Sequence, residues 1–213
     1  IKRDLMAINT YSTLQSSIAD WLDRDDLTSR IPDFITLVET RFNRELRIRL
    51  METTTTDSTV AGTRSYALPT SYLSGRNFSL NTDPITPLEY LTPEMMDRLW
   101  AGSASGKPLT YTIIGDNYHL GPAPDAVYTV EITYYKQVDA LSDASPTNTM
   151  LTNNPDVYLY GALLESAPFL QNHPDILVWK GGYDEAISKI QKADALDRHS
   201  GSVLRIINTS GNP

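Results

Sequence analysis

The segment from 153 to 201, NNPDVYLYGALLESAPFLQNHPDILVWKGGYDEAISKIQKADALDRHSG, constrains the fold more than any other, and it reads as two helices in series. Asn154 is placed to cap the first, with Pro155 at the first helical position, where a missing N–H costs nothing. From Val157 to Leu170 apolar residues occupy nearly every face, the pattern of a helix buried all round, and Glu165 is the one charge in the run. Pro168 removes a backbone hydrogen bond there and predicts a fixed kink. The second helix starts at His173-Pro174 and carries Ile176, Trp179, Tyr183, Ile187 and Ile190 as a stripe near the helical period. Its polar face pairs Glu185 with Lys189 and Asp194 with Arg198, acid first, and Gly201 stands where a C′ glycine belongs. A helix apolar on every face needs neighbours on every side, so the rest of the chain must wrap it.

The other segments supply those neighbours. Residues 11–24 place Tyr11, Leu14, Ile18, Trp21 and Leu22 on one face behind Thr10 as cap. A second helix is expected from Ile31 to Leu50, with Ile31, Phe34, Ile35, Val38, Phe42 and Leu46 inward and Pro32 in its first turn. At Met51 the character changes: ETTTTDSTVAGT reads as extended, exposed and adaptable. Short strands are expected at 64–68 and 77–80, and Thr92-Pro93-Glu94 opens a short helix near 93–101. A meander follows, with a hairpin turn at Gly115 to Asn117 and the clearest strand at 128–134, where Tyr128, Val130, Ile132 and Tyr134 alternate with polar residues. The expectation is therefore an α+β chain that is mainly a helical bundle, an N-terminal helix pair (9–50) and a long C-terminal helical hairpin (153–201). A β-rich insertion (51–152) with an antiparallel meander and an extended tail (202–213) complete it as a single domain of 213 residues.

Charge and motif content narrow the function. A net charge of -8 argues against a sequence-independent nucleic-acid binder, which needs a cationic face. The chain has no cysteine, hence no disulfide framework and no thiolate zinc site. No apolar run approaches the roughly 20 residues that span a bilayer, and the opening residues carry no signal-peptide pattern. The first residues are IKRDLMAINTYS; Met6 is one candidate start, a longer chain preceding Ile1 the other. His119, His173 and His199 lie in unrelated positions, Asp25-Asp26 reads as a polar turn rather than a metal pair, and no nucleophile elbow, P-loop or dinucleotide fingerprint is present. No catalytic residue, metal or cofactor is expected, and a nuclease in particular would need clustered carboxylates.

The densest charge cluster is Arg41, Arg44, Arg47 and Arg49 in RFNRELRIR. It is open to three readings: holding phosphate or a partner's carboxylates, complementing the end of its own helix with local pairs through Glu45, or meeting the acidic surface of a neighbouring copy. Glu165, a lone carboxylate in an apolar helix, needs a cation, and an arginine from this cluster is the expected partner. Gly181-Gly182 suits close helix packing or a kink. Tyrosine outnumbers phenylalanine 12 to 4, which favours interface chemistry over catalysis. The last residues, with Val203, Leu204, Ile206 and Ile207 around Arg205, form an apolar knot that wants a partner.

TYSTLQSSIADWLDRDDLTSRIPDFITLVETRFNRELRIR, then YALPTSYLSGRNFSL, PLEYLTP, YTIIGDNYHLGPAPDAVYTVEITYY and NNPDVYLYGALLESAPFL, resemble in order the bacteriophage head-to-tail adaptor (connector) proteins of the podovirus type, over about residues 10–200. The leader before Thr10 and the Gly181-Gly182 pair depart from that pattern. The resemblance implies a helical bundle with a β-rich extension, no enzymatic activity, and a ring, usually of twelve copies, under the portal around the DNA channel. It implies as partners the portal protein, a tail or nozzle protein and passing genomic DNA held without specific binding, with no membrane. The chain would be made in the host cytoplasm and reside in the neck of the virion. Carried onto this chain, Val203, Leu204, Arg205, Ile206 and Ile207 would dock on the portal, and the Thr-rich 53–63 segment would be a distal or inter-subunit arm. The alternatives are another neck or tail-completion protein, or a carbohydrate-binding module using the Tyr-rich meander.

Overall fold

The computed structural model describes residues 7–102, 104–170 and 174–199. Among them are six helices: α1 (Tyr11–Leu22), α2 (Ile31–Glu45), α3 (Pro93–Leu99), α4 (Thr149–Asn153), α5 (Pro155–Glu165) and α6 (Ile176–His199). The eight strands are β1 (Glu52–Ser58), β2 (Ser65–Ala67), β3 (Tyr72–Leu80), β4 (Thr86–Pro87), β5 (Glu89–Tyr90), β6 (Thr110–Ile114), β7 (Asn117–Gly121) and β8 (Thr129–Lys136). The chain divides into two compact units, a helical one from the described residues up to Ile48 and from Asp139 onward, and a sheet unit, Arg49–Val138.

In the helical unit α5 is the centre. Val157, Tyr158, Leu159, Gly161, Ala162 and Leu163 are buried, and α1, α2, α4 and α6 all pack on it. Thr10 starts α1 with a reciprocal capping box: its Oγ1 accepts from Thr13 N, and Thr13 Oγ1 accepts from Thr10 N at 2.9 Å. Gly161 lets α2 and α6 approach, since a Cβ there would lie 3.0 Å from both Val38 methyls and 3.3 Å from the Tyr183 ring. Gly182 does the same for Tyr160, at 3.1 Å, and α6 runs unbroken through the glycine pair. Both i,i+4 pairs on α6 are formed, Lys189 with Glu185 and Arg198 with Asp194, each at 2.7 Å.

Two helix ends fall short of the sequence expectation. α2 stops at Glu45, not near Leu50, because the burial pattern changes period: Leu46 and Ile48 are buried while Arg47 and Arg49 are exposed, an alternation proper to extended chain. α5 stops at Glu165, and Pro168 lies in a separate 3-10 turn, Ala167–Phe169, so it ends the helical path rather than kinking it.

The expectation of a mainly helical bundle with a β insertion is overturned by the sheet unit. It holds two four-stranded sheets, ordered β1-β8-β3-β4 and β2-β7-β6-β5, which make the chain an α+β protein in its own right. β6 and β7 form the expected hairpin around Gly115 (φ 59), but β8 does not continue the meander. It crosses to the other sheet and pairs on both sides, with β1 and β3. Alternation explains why: Val130, Ile132 and Tyr134 point into a core shared by both sheets, with Phe78, Leu80, Tyr111, Tyr118 and Leu120. Within the Thr-rich segment, Glu52–Ser58 is paired along β8 on one side and forms the edge of its sheet.

On the outer side of the second sheet, α3 sits against β6. Trp100, at the end of α3, donates from Nε1 to Thr110 Oγ1 at 2.8 Å, and Thr110 Oγ1 in turn donates to Gly121 O at 3.1 Å. A Cβ at Gly121 would lie 2.4 Å from the Trp100 ring and 2.6 Å from Met96 Sδ, so only glycine fits. Gly121→Ala is expected to push α3 off the sheet and to cost about 1–3 kcal/mol in urea unfolding, with the Trp100 emission shifted to the red. An unchanged midpoint would show that α3 is not seated this way.

Candidate interaction surfaces

The polar groups of the helical unit converge on α5. Tyr158, fully buried, donates to Glu39 Oε1 at 3.2 Å, and the same oxygen accepts from Leu141 N at 2.8 Å. Asn148 completes the group: its Nδ2 donates to Tyr158 Oη and to Asp139 O, both at 2.7 Å, and its Oδ1 caps α4 by accepting from Leu151 N. Burial pushes the Glu39 carboxyl above its ordinary range, and the Leu141 and Tyr158 hydrogen bonds pull it partly back. Burial likewise raises the Tyr158 hydroxyl, with Glu39 adding to the effect, so it stays a donor.

Glu165, at the other end of α5, forms an ion pair with Arg41 of α2. Arg41 also lies 5.3 Å over the Tyr183 ring, and the Tyr183 hydroxyl donates to Glu45 Oε2 at 3.1 Å. Three helices are thus tied by Arg41, Glu165, Tyr183 and Glu45. The remaining arginines of the cluster part company. Arg44 is exposed in the last turn of α2, where it complements the carbonyl end. Arg47 follows the helix and closes it by donating to Asn43 O at 2.9 Å and to Leu46 O. Arg49 begins a 3-10 turn, Arg49–Met51, in the sheet unit. Because α2 ends early, the four do not share one helical face.

Other candidates fall into place in the same way. Asp26 is bridged by Arg24, which holds its carboxyl below the usual range. His119 lies on β7, in a cavity of about 220 Å³ with Arg64, Asp97 and Thr112. His173 and the tail residues Val203, Leu204, Arg205, Ile206 and Ile207 lie outside the described residues, as does Gly201. Among the described residues there is no group of three His, Cys, Asp or Glu side chains that could hold a metal, and no helix long and apolar enough to cross a membrane.

Several tyrosines of the sheet unit are built into its core. Tyr111, Tyr118 and Tyr134 are buried, Phe78 stacks on Tyr111 at 4.1 Å, and Tyr66 stacks on Tyr118 at 5.3 Å. Burial pushes the Tyr111 hydroxyl up to about 12. Exposed apolar side chains include Met95 and Leu99 on α3, Tyr90 on β5 and Leu109 just before β6. Sequence reasoning missed the Glu39 network. Glu39 was visible in principle: it sits four residues after Ile35 and three before Phe42, inside the apolar stripe, where a charge needs a partner.

The raised carboxyl of Glu39 sets a sign. The folded chain holds that proton more tightly than the unfolded one, so stability is lost as pH rises from 4.5 through the folded value. Glu39→Gln keeps an acceptor and removes the titration. The wild type is therefore expected to gain stability relative to Glu39→Gln on acidification from neutral pH towards 4.5, measured by denaturation at several pH values. Glu39→Ala, which orphans Leu141 N–H and the Tyr158 hydroxyl, is expected to cost about 2–4 kcal/mol. A pH-independent difference between wild type and Glu39→Gln would contradict the buried position of the carboxylate.

The sequence model of a family described as SU10 adaptor protein matches residues 9–206, running through both units from α1 to beyond α6. No curated protein matches the chain. A match of that extent, carried by a helical unit and a sheet unit alike, places the chain as a member of the SU10 adaptor protein family.

Proposed function

We propose that this chain is a structural, non-catalytic component of a bacteriophage neck, a head-to-tail adaptor that forms a ring under the portal and joins it to tail or nozzle proteins. The observation that carries this reading is the family match over residues 9–206. The ring holds twelve copies and its bore passes the genome without gripping it. The charge of -8 suits that task, because an acidic wall repels phosphate. The helical unit suits a wedge in a ring: α5 is clamped from α1, α2, α4 and α6, so the subunit transmits load without deforming. Ring closure needs a heterologous interface, one face of each copy against a different face of the next. Arg44, exposed at the end of α2, is the cation of the arginine cluster that we assign to the acidic surface of a neighbour. The apolar knot Val203 to Ile207 is the segment that we assign to the portal.

The test is the native mass of the purified chain, alone and mixed with the portal ring of the same particle. Addition of a full set of copies to the portal is expected, and it should be lost on deleting residues 202–213. Binding that survives the deletion moves the contact elsewhere in the chain. An intact portal that binds no copy contradicts the adaptor role and favours another neck or tail-completion component.

A further inference from the structure

The two sheets present four edge strands among the described residues, and three are blunted. β2 has three residues, β4 has two and contains Pro87, and β5 has two and carries Glu89. The fourth, β1, runs for seven residues without proline or lysine, its two acids Glu52 and Asp57 near the ends and four threonines between them. Hydrogen-bond parity tells which of its backbone groups are open. Thr59 N donates to Tyr128 O at 2.9 Å, and the register pairs Asp57 with Val130, Thr55 with Ile132 and Thr53 with Tyr134. Those odd-numbered residues therefore exchange hydrogen bonds with β8, and Thr54 and Thr56 turn N–H and C=O away from the sheet. Their side chains are exposed and uncharged.

We infer that β1 is the edge through which two copies of this chain pair, antiparallel and about a two-fold axis. The other described edges are too short to receive it, so within this chain its best-matched partner is itself. The parity fixes the register. Outward groups must meet outward groups, which sets Thr54 opposite Thr56 of the second copy and Thr55 opposite its own counterpart on the axis. Full overlap then places Glu52 opposite Ser58 and Asp57 opposite Thr53. No like charges face each other, and threonines meet across the centre, a favourable cross-strand pairing. A register one residue shorter would set Glu52 against Asp57 and present bonded backbone groups to open ones. The pairing closes after two copies, so it describes the free chain and stands whether or not the adaptor reading holds.

The experiment uses the full chain. Sedimentation velocity over a concentration series is expected to show a dimer, and the double variant Thr54→Lys/Thr56→Lys, which sets lysines opposite each other twice, should weaken it about tenfold or more with an unchanged melting temperature. Because the chain has no cysteine, Thr55→Cys reads the register directly. The residues on the axis form a non-hydrogen-bonded pair about 4.5 Å apart, within disulfide reach. Mild oxidation should link Thr55→Cys about tenfold faster than Ser58→Cys, which faces Glu52 instead. A monomer at every concentration overturns the inference, and so does a monomer whose edge only an added foreign strand peptide caps. A dimer indifferent to the lysines, with equal cross-linking of both cysteine variants, overturns it as well.

Discussion

A helix buried on every side cannot leave a polar atom unmet, and in the helical unit that requirement decides the rest. α5 carries two such groups on one flank, the Tyr158 hydroxyl and the Glu165 carboxylate, seven residues apart. α2 answers both, with Glu39 and Arg41. Each answer brings in a further element. Glu39 also takes Leu141 N–H, which fixes the chain leading into α4, and Arg41 lies over Tyr183, which fixes α6. Removing one member leaves another buried and unpaired, so the cost of a single change exceeds the worth of the bond it removes. The arrangement favours one packing of the helices over near alternatives.

The sheet unit meets a different constraint. Its two sheets are held by one apolar core, and the strand that spans most of it, β8, is satisfied on both edges. The price of that centre falls on the periphery, where four edges remain among the described residues. Shortness and proline quieten three of them, and β1 is left long, with four threonines between Glu52 and Asp57. α3 protects the outer face at Thr110 and Gly121 through a fit that only glycine allows.

Local signals were legible in the residues. The Thr10 cap, the Thr92-Pro93 helix start, the Gly115 turn, the alternation of β8 and the two i,i+4 pairs of α6 all depend on neighbours in sequence. What depends on distant partners was not. β8 finds β1 and β3 across tens of residues, and nothing in its alternation distinguishes a third meander strand from the centre of a second sheet. The end of α2 was readable yet missed, because Leu46 continues the helical stripe while Leu46 and Ile48 together already alternate. The arginine cluster was legible in part: the expected pairing of Glu165 with an arginine of this run is formed by Arg41, while the early end of α2 puts Arg47 and Arg49 off the helix.

The proposed adaptor role calls for a stiff subunit that does not hold DNA, and the clamped α5 and the acidic balance are compatible with it. The most direct measurement is electron cryo-microscopy of the neck in the intact particle, at a resolution that separates helices. A closed ring of this chain between portal and tail, with α5 enclosed as described, is the predicted result. A neck whose ring is built from another protein, with this chain elsewhere or missing, would contradict the account.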